Sequence, residues 1–213
     1  MPIKHIFQGI IVPASIFIPI FIFFFKYRIT KIDSRLLFYY LVISGTINLI
    51  AIIFSQRSIN NLPLLHLYTV VEAIFILSYF HCIFKQPLIK NALLMLIVLF
   101  PALCILNFSF LQSIYSFNTY TRPLEAILIT FFCLFYLYKS GFKENWLKEP
   151  ISWFNMGILI YFPVACVIFI SSNYLIESTN KEMNTMVWNV HAALVLFMYL
   201  FWARGFKLIE SGR

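Results

Sequence analysis

Three ionisable residues precede an alanine inside long apolar stretches. They are Glu72 in the run from Tyr68 to Ala73, Glu125 in the run from Tyr120 to Ala126, and His191 before Ala192. A charged side chain inside a bilayer is costly, so such residues mark a functional site and call for a named partner. A buried carboxyl can recognise a cation or carry a proton. Arg122 stands three residues before Glu125, so the two share a helical face and can pair; alternatively the guanidinium can recognise an anion.

Helical spacing groups these residues with aromatic neighbours. Tyr68, Glu72, Phe75 and Tyr79 fall on one face, as do Arg122, Glu125, Phe132 and Tyr136, and Trp188, His191, Met198 and Trp202. His66 lies six residues before Glu72, about 120° round the helix, and is not its same-helix partner. The three polar groups sit at similar depth in parallel segments. The expectation is a polar cavity opening outward between the helices and lined by Tyr68, Glu72, Arg122, Glu125, Trp188, Asn189 and His191, which binds a small solute, lipid or ion for transport or sensing. Plainer roles compete with it. Glu72 can serve helix packing through a hydrogen bond, Glu125 can simply pair with Arg122, and His66 and His81 can be packing residues. Asn48 and Asn107 read as hydrogen bonds between helices. The 25 Phe and 12 Tyr read as lipid-facing bulk and interfacial belt.

Motifs for covalent or metal chemistry are absent from the sequence. It has no H-E-x-x-H, no G-x-S-x-G elbow and no C-x-x-C pair. Cys82, Cys104, Cys133 and Cys166 fall on four different segments and read as small apolar fillers. A metal-dependent hydrolase is the less favoured alternative, since it would have to assemble His66 and Glu72 of one helix with Glu125 and His191 of two others. No catalytic residue, metal ligand or cofactor is therefore expected. A retinal receptor is excluded as well, because the seventh apolar segment carries no internal lysine for a Schiff base.

The elements that must position these residues follow from composition. Of 213 residues, 62% are apolar, against 16 basic and 8 acidic, and the mean hydropathy is +0.87. A soluble domain of this length could not hide so much apolar surface. Spanning helices need about 20 apolar residues, and seven segments qualify: Phe7–Phe25, Leu36–Phe54, Leu64–Phe84, Ala92–Phe110, Thr119–Tyr138, Ile151–Ser171 and Thr185–Ala203. The fold class is an all-α, seven-helix transmembrane bundle forming one integral-membrane unit over residues 1–213. The first segment, with Pro13 and Pro19 and a basic Lys26-Tyr27-Arg28 behind it, reads as a retained helix rather than a cleaved signal. Asp33 and Ser34 are candidate caps of the second helix, and Pro63, Pro123 and Pro150 mark helix starts.

Basic residues set the expected orientation. On one side fall Lys26, Arg28, Lys31, Arg35, Lys85, Lys90, Lys139, Lys143, Lys148, Arg204, Lys207 and Arg213; on the other fall Lys4, Arg57, Arg122 and Lys181. Positive loops remain cytoplasmic, which puts the N-terminus outside and the C-terminus inside, so the basic excess needs no nucleic-acid partner. Gly141, Phe142, Trp146 and Leu147 suggest a segment lying on the inner interface. The short loops and the Ile/Phe/Lys-rich composition point to a prokaryotic inner membrane. The expected partners are the lipid bilayer and a small ligand or ion, with an accessory role through a cytoplasmic protein partner as the alternative. The first three and last three segments also pair loosely as a repeat around the fourth.

Overall fold

The computed structural model describes residues 6–141, 145–177 and 181–209. Lys4, Phe142, Lys143 and Arg213 lie outside the described residues. Among those described, seven helices are long and apolar enough to cross a membrane: α1 (Phe7–Phe24), α2 (Ile32–Gln56), α3 (Leu62–Ile83), α4 (Pro87–Leu111), α5 (Thr121–Ser140), α6 (Pro150–Leu175) and α7 (Lys181–Lys207). Several helices run past their apolar windows into polar residues, because backbone hydrogen bonding continues beyond the hydrocarbon-length stretch. α2 begins at Ile32 rather than Leu36, so Asp33 and Ser34 lie inside its first turn and do not cap it. Asp33 Oδ1 instead accepts the N–H of Ser34 at 2.7 Å. Pro63 and Pro150 do sit at helix starts, and Pro87 joins them. Trp146–Lys148 forms a single tight turn before α6.

Prolines lie inside three helices. α1 is π-helical over Phe7–Ile11 and α-helical over Val12–Ser15, and resumes after Ile16 as Phe17–Phe24. Pro19 cannot donate to the carbonyl four residues earlier, which loosens the helix at that turn. Pro101 and Pro163 lie inside α4 and α6.

Short connections make most consecutive helices antiparallel neighbours, α4 and α5 excepted. The packing order runs α1–α2–α3–α5–α6–α7 and back to α1, while α4 packs against α3 outside this ring. Two three-helix arcs thus face each other. Where α6 meets α7, a ring from each helix rests on a glycine of the other: Trp202 against Gly157 and Phe154 against Gly205. Trp202 Nε1 also donates to the Phe154 carbonyl at 3.1 Å. The core continues through Phe23, Tyr40, Phe80 and Phe206, all fully buried. Outside, Phe21, Val98, Phe110, Phe131 and Val167 leave large apolar groups uncovered, the surface that a hydrocarbon solvent accepts.

Candidate functional site: a buried guanidinium beside a cavity

α5 starts where Asn118 stops the preceding connection. Asn118 Oδ1 accepts the N–H of Thr121 at 3.0 Å and of Arg122 at 3.2 Å, and the Thr121 hydroxyl at 2.8 Å. Its Nδ2 donates to Thr69 Oγ1 of α3 at 3.2 Å. One side chain therefore satisfies two free N–H groups of α5 and ties that end to α3. Asn118→Ala is expected to cost about 1–2 kcal/mol, read as a lower unfolding midpoint in detergent; an unchanged midpoint would show that the cap contributes nothing.

This anchor sets Arg122 between two carboxylates. Its Nη1 donates to Glu72 Oε2 of α3 and, at 2.7 Å, to Glu125 Oε2 on its own helix. Its Nη2 donates to the Tyr161 hydroxyl of α6 at 2.9 Å. The guanidinium carbon lies 5.1 Å from the Tyr68 ring centre and 5.2 Å from that of Phe169, so aromatic faces flank the charge. Glu72 is fully buried, Arg122 is 2% exposed and Glu125 is 1% exposed. The other Glu72 oxygen accepts from Tyr40 of α2 and, at 3.1 Å, from Tyr68. The two tyrosine hydroxyls are themselves 2.6 Å apart. Tyr161 in turn reaches His191 Nε2 of α7 at 3.2 Å. The Tyr161 oxygen accepts from Arg122, and its own proton can point at Nε2. Two polar atoms of the cluster are buried without a partner: Arg122 Nε and Glu125 Oε1.

A cavity of about 480 Å³ adjoins this cluster. Tyr68, Arg122, Tyr161 and His191 line its inner part, with Phe117, Phe169 and Trp188 as aromatic walls. Gln8, Asn48 and Asn61 line it toward the end of the bundle where α1 and α3 begin. Of the residues expected to line a cavity, Tyr68, Arg122, Trp188 and His191 do so. Glu72 and Glu125 stand behind the guanidinium and do not border the space. Asn189 turns away: its Oδ1 accepts from Gln8 Nε2 at 2.7 Å, and it borders a separate shallow depression beside Glu182 and Thr185. Arg122 is therefore no loop charge, because the bundle encloses it.

The other polar residues divide. His66 is buried with Nε2 3.1 Å from the Ser116 carbonyl, a packing arrangement. Asn48 faces the cavity, while Asn107 donates within its own segment to Gln112 at 3.5 Å rather than to another helix. Tyr40, Tyr161 and Asn118 were not singled out by sequence. The only available signal was a tyrosine deep in an apolar span, for the first two. Among the described residues, no three His, Cys, Asp or Glu side chains gather to hold a metal, and the four cysteines are free thiols. Comparison of the chain with protein families, with characterised proteins and with solved structures finds no match.

Proposed function

We propose that this chain is a multi-pass membrane protein that binds a small solute, lipid or ion in the cavity beside Arg122, for transport or sensing. The single observation that carries the reading is the placement of a buried guanidinium on the wall of a cavity wide enough for a small molecule. Packing specificity alone would explain the ion pairs. It would not explain a 480 Å³ space bordered by Arg122, His191 and three tyrosines. The two three-helix arcs around the space supply surfaces that can move against each other.

Orientation is part of the proposal. With Arg122 enclosed by the bundle, Arg57 and Lys181 are the described cations at the end of the bundle where α1 begins. Lys26, Arg28, Lys31, Arg35, Lys85, Lys90, Lys139, Lys148, Arg204 and Lys207 belong to the other. This bias supports an N-terminus outside, a C-terminus in the cytoplasm and a cavity facing outward; the prokaryotic inner membrane is proposed on composition alone.

Thiol labelling tests the reading. Ala192 borders the cavity, so Ala192→Cys, in a chain whose four cysteines are replaced by Ala, should react with a membrane-impermeant thiol reagent applied outside the cell. It should be protected from the same reagent applied to inside-out vesicles. Reaction from the inside alone would reverse the orientation, and no reaction from either side would remove the open cavity.

A further inference from the structure

We infer that the cavity takes a monoanionic carboxylate together with one proton, the proton resting on Glu125; this rests on the cavity-binding reading above. The charge that a ligand meets is positive, although the cluster as a whole is not. Arg122 borders the space, while both carboxylates stand behind it. A cation entering the cavity would therefore face a guanidinium first. An oxyanion would meet Arg122, the one Lys or Arg among the residues that line the space, and guanidinium N–H groups are well suited to carboxylate oxygens. The walls of Phe117, Phe169 and Trp188 suit an apolar or aromatic body on that acid.

Charge counting requires the proton. Glu72 and Glu125 against Arg122 leave a formal charge of −1 in a buried cluster. A bound carboxylate would make it −2, which a low-dielectric site resists strongly. Uptake of one proton from solvent restores −1, with Arg122 cationic, Glu72 and the ligand anionic, and one carboxyl neutral. Geometry selects Glu125 as that carboxyl. Both oxygens of Glu72 are engaged, one by Tyr40 and Tyr68 and the other by Arg122. Glu125 keeps Oε1 without a partner. The titratable groups facing the cluster are Tyr40 from α2, Tyr68 and Glu72 from α3, Cys104 from α4 near Thr121 and Glu125, Tyr161 from α6, and His191 and Tyr199 from α7. His191 shares the Tyr161 hydroxyl with Arg122, so a proton placed on its imidazole would set a second cation beside the guanidinium. A dianionic phosphate would need a second proton, for which the cluster shows no comparable free oxygen.

The test uses the full chain in lipid nanodiscs, with benzoate as the anionic probe and benzyltrimethylammonium as the cationic one. Calorimetric titration in two buffers of different ionisation enthalpy, at a pH high enough for Glu125 of the free protein to be ionised, reads proton uptake directly. Benzoate should bind with about one proton taken up, and its Kd should rise about tenfold per pH unit where Glu125 is ionised in the free protein. Glu125→Gln should bind benzoate with a heat that no longer depends on the buffer and a Kd that no longer depends on pH. Benzoate binding without proton uptake in the unmodified chain would overturn the proposal, as would binding of benzyltrimethylammonium in its place. If Glu125→Gln fails to fold, the two-buffer result on the unmodified chain decides. If neither probe binds while Ala192→Cys remains open to the thiol reagent, the ligand class is wrong and the cavity reading stands. If the cavity is closed to the reagent as well, both fall.

Discussion

Arg122→Met is expected to cost about 3–5 kcal/mol, the range for breaking a buried ion set by removing one partner. The loss would be measured as a lowered unfolding midpoint in detergent. Methionine replaces the apolar stem of arginine but leaves Glu72 and Glu125 facing each other without their shared donor, and leaves Tyr161 without the bond from Nη2. A triple variant, Arg122→Met with Glu72→Gln and Glu125→Leu, should recover most of the loss. The amide oxygen introduced by Glu72→Gln still accepts from Tyr40 and Tyr68, and no uncompensated charge remains. Neutral replacement of a whole buried ion set is often tolerated, while removal of one member is not. If Arg122→Met alone stayed within about 0.5 kcal/mol of the parent, as ordinary surface changes do, the ion pairs would have no structural weight. The triple variant also separates stability from binding, because it should fold and yet lose benzoate.

The second large effect is expected at the contact of α6 and α7. A Cβ on Gly205 would sit 2.5 Å from Phe154 Cε1 and 2.8 Å from Cδ1; one on Gly157 would sit 2.7 Å from Trp202 Nε1 and 3.3 Å from Met198 Cγ. These rings are fully buried and have nowhere to retreat. Gly205→Ala should cost about 1–3 kcal/mol by overpacking, and Gly205→Leu should pry the helices apart. Gly45 provides the control. Its added Cβ would meet only Ile16, at 3.6 Å, so Gly45→Ala should be neutral or gain up to about 1 kcal/mol from helix propensity. Equal effects at Gly205 and Gly45 would mean that the glycine contact does not hold the pair together. Helices in lipid lack a hydrophobic drive to associate and depend on such close approach, so the contrast should be larger in bilayers than a soluble-protein scale suggests.

The number and rough position of the helices were legible because a spanning segment must be apolar along its whole length, and nothing else in the chain is. The ends were less legible: polar residues at Ile32–Arg35 and Lys181–Asn184 continue the helix beyond the apolar window. Glu72, Glu125, Arg122 and His191 could be found because a charge in an apolar run is conspicuous. Which face each helix turns inward is set by packing rather than by its own residues. That is why Glu72 and Glu125 were expected on the cavity wall and instead stand behind Arg122. Asn189 was grouped with Trp188 and His191, yet an adjacent residue points about 100° away on a helix. Tyr40 and Tyr161 were invisible among 12 tyrosines, since a belt tyrosine and a hydrogen-bonding core tyrosine look alike until their neighbours are known. Asn118 lies in a connection, where its capping role depends on the conformation of the chain around it.

The division of the ion cluster between α3 and α5 bears on how the chain is made. α5 is the least apolar of the seven helices, with a hydropathy of 1.3 against 2.5 for α4, and it carries both Arg122 and Glu125. For a chain inserted helix by helix, a lone arginine in the first turn of a spanning segment, as Arg122 is in α5, still carries part of the cost of about 2.5–3.5 kcal/mol that it would meet at the helix centre. Synthesis runs from N- to C-terminus, so α3 and its Glu72 are already in place when α5 leaves the ribosome. The incoming arginine meets a waiting carboxylate instead of bare lipid. A nascent chain halted after α4 holds Glu72 without its cation, and that unpaired charge distinguishes an unfinished copy from a finished one.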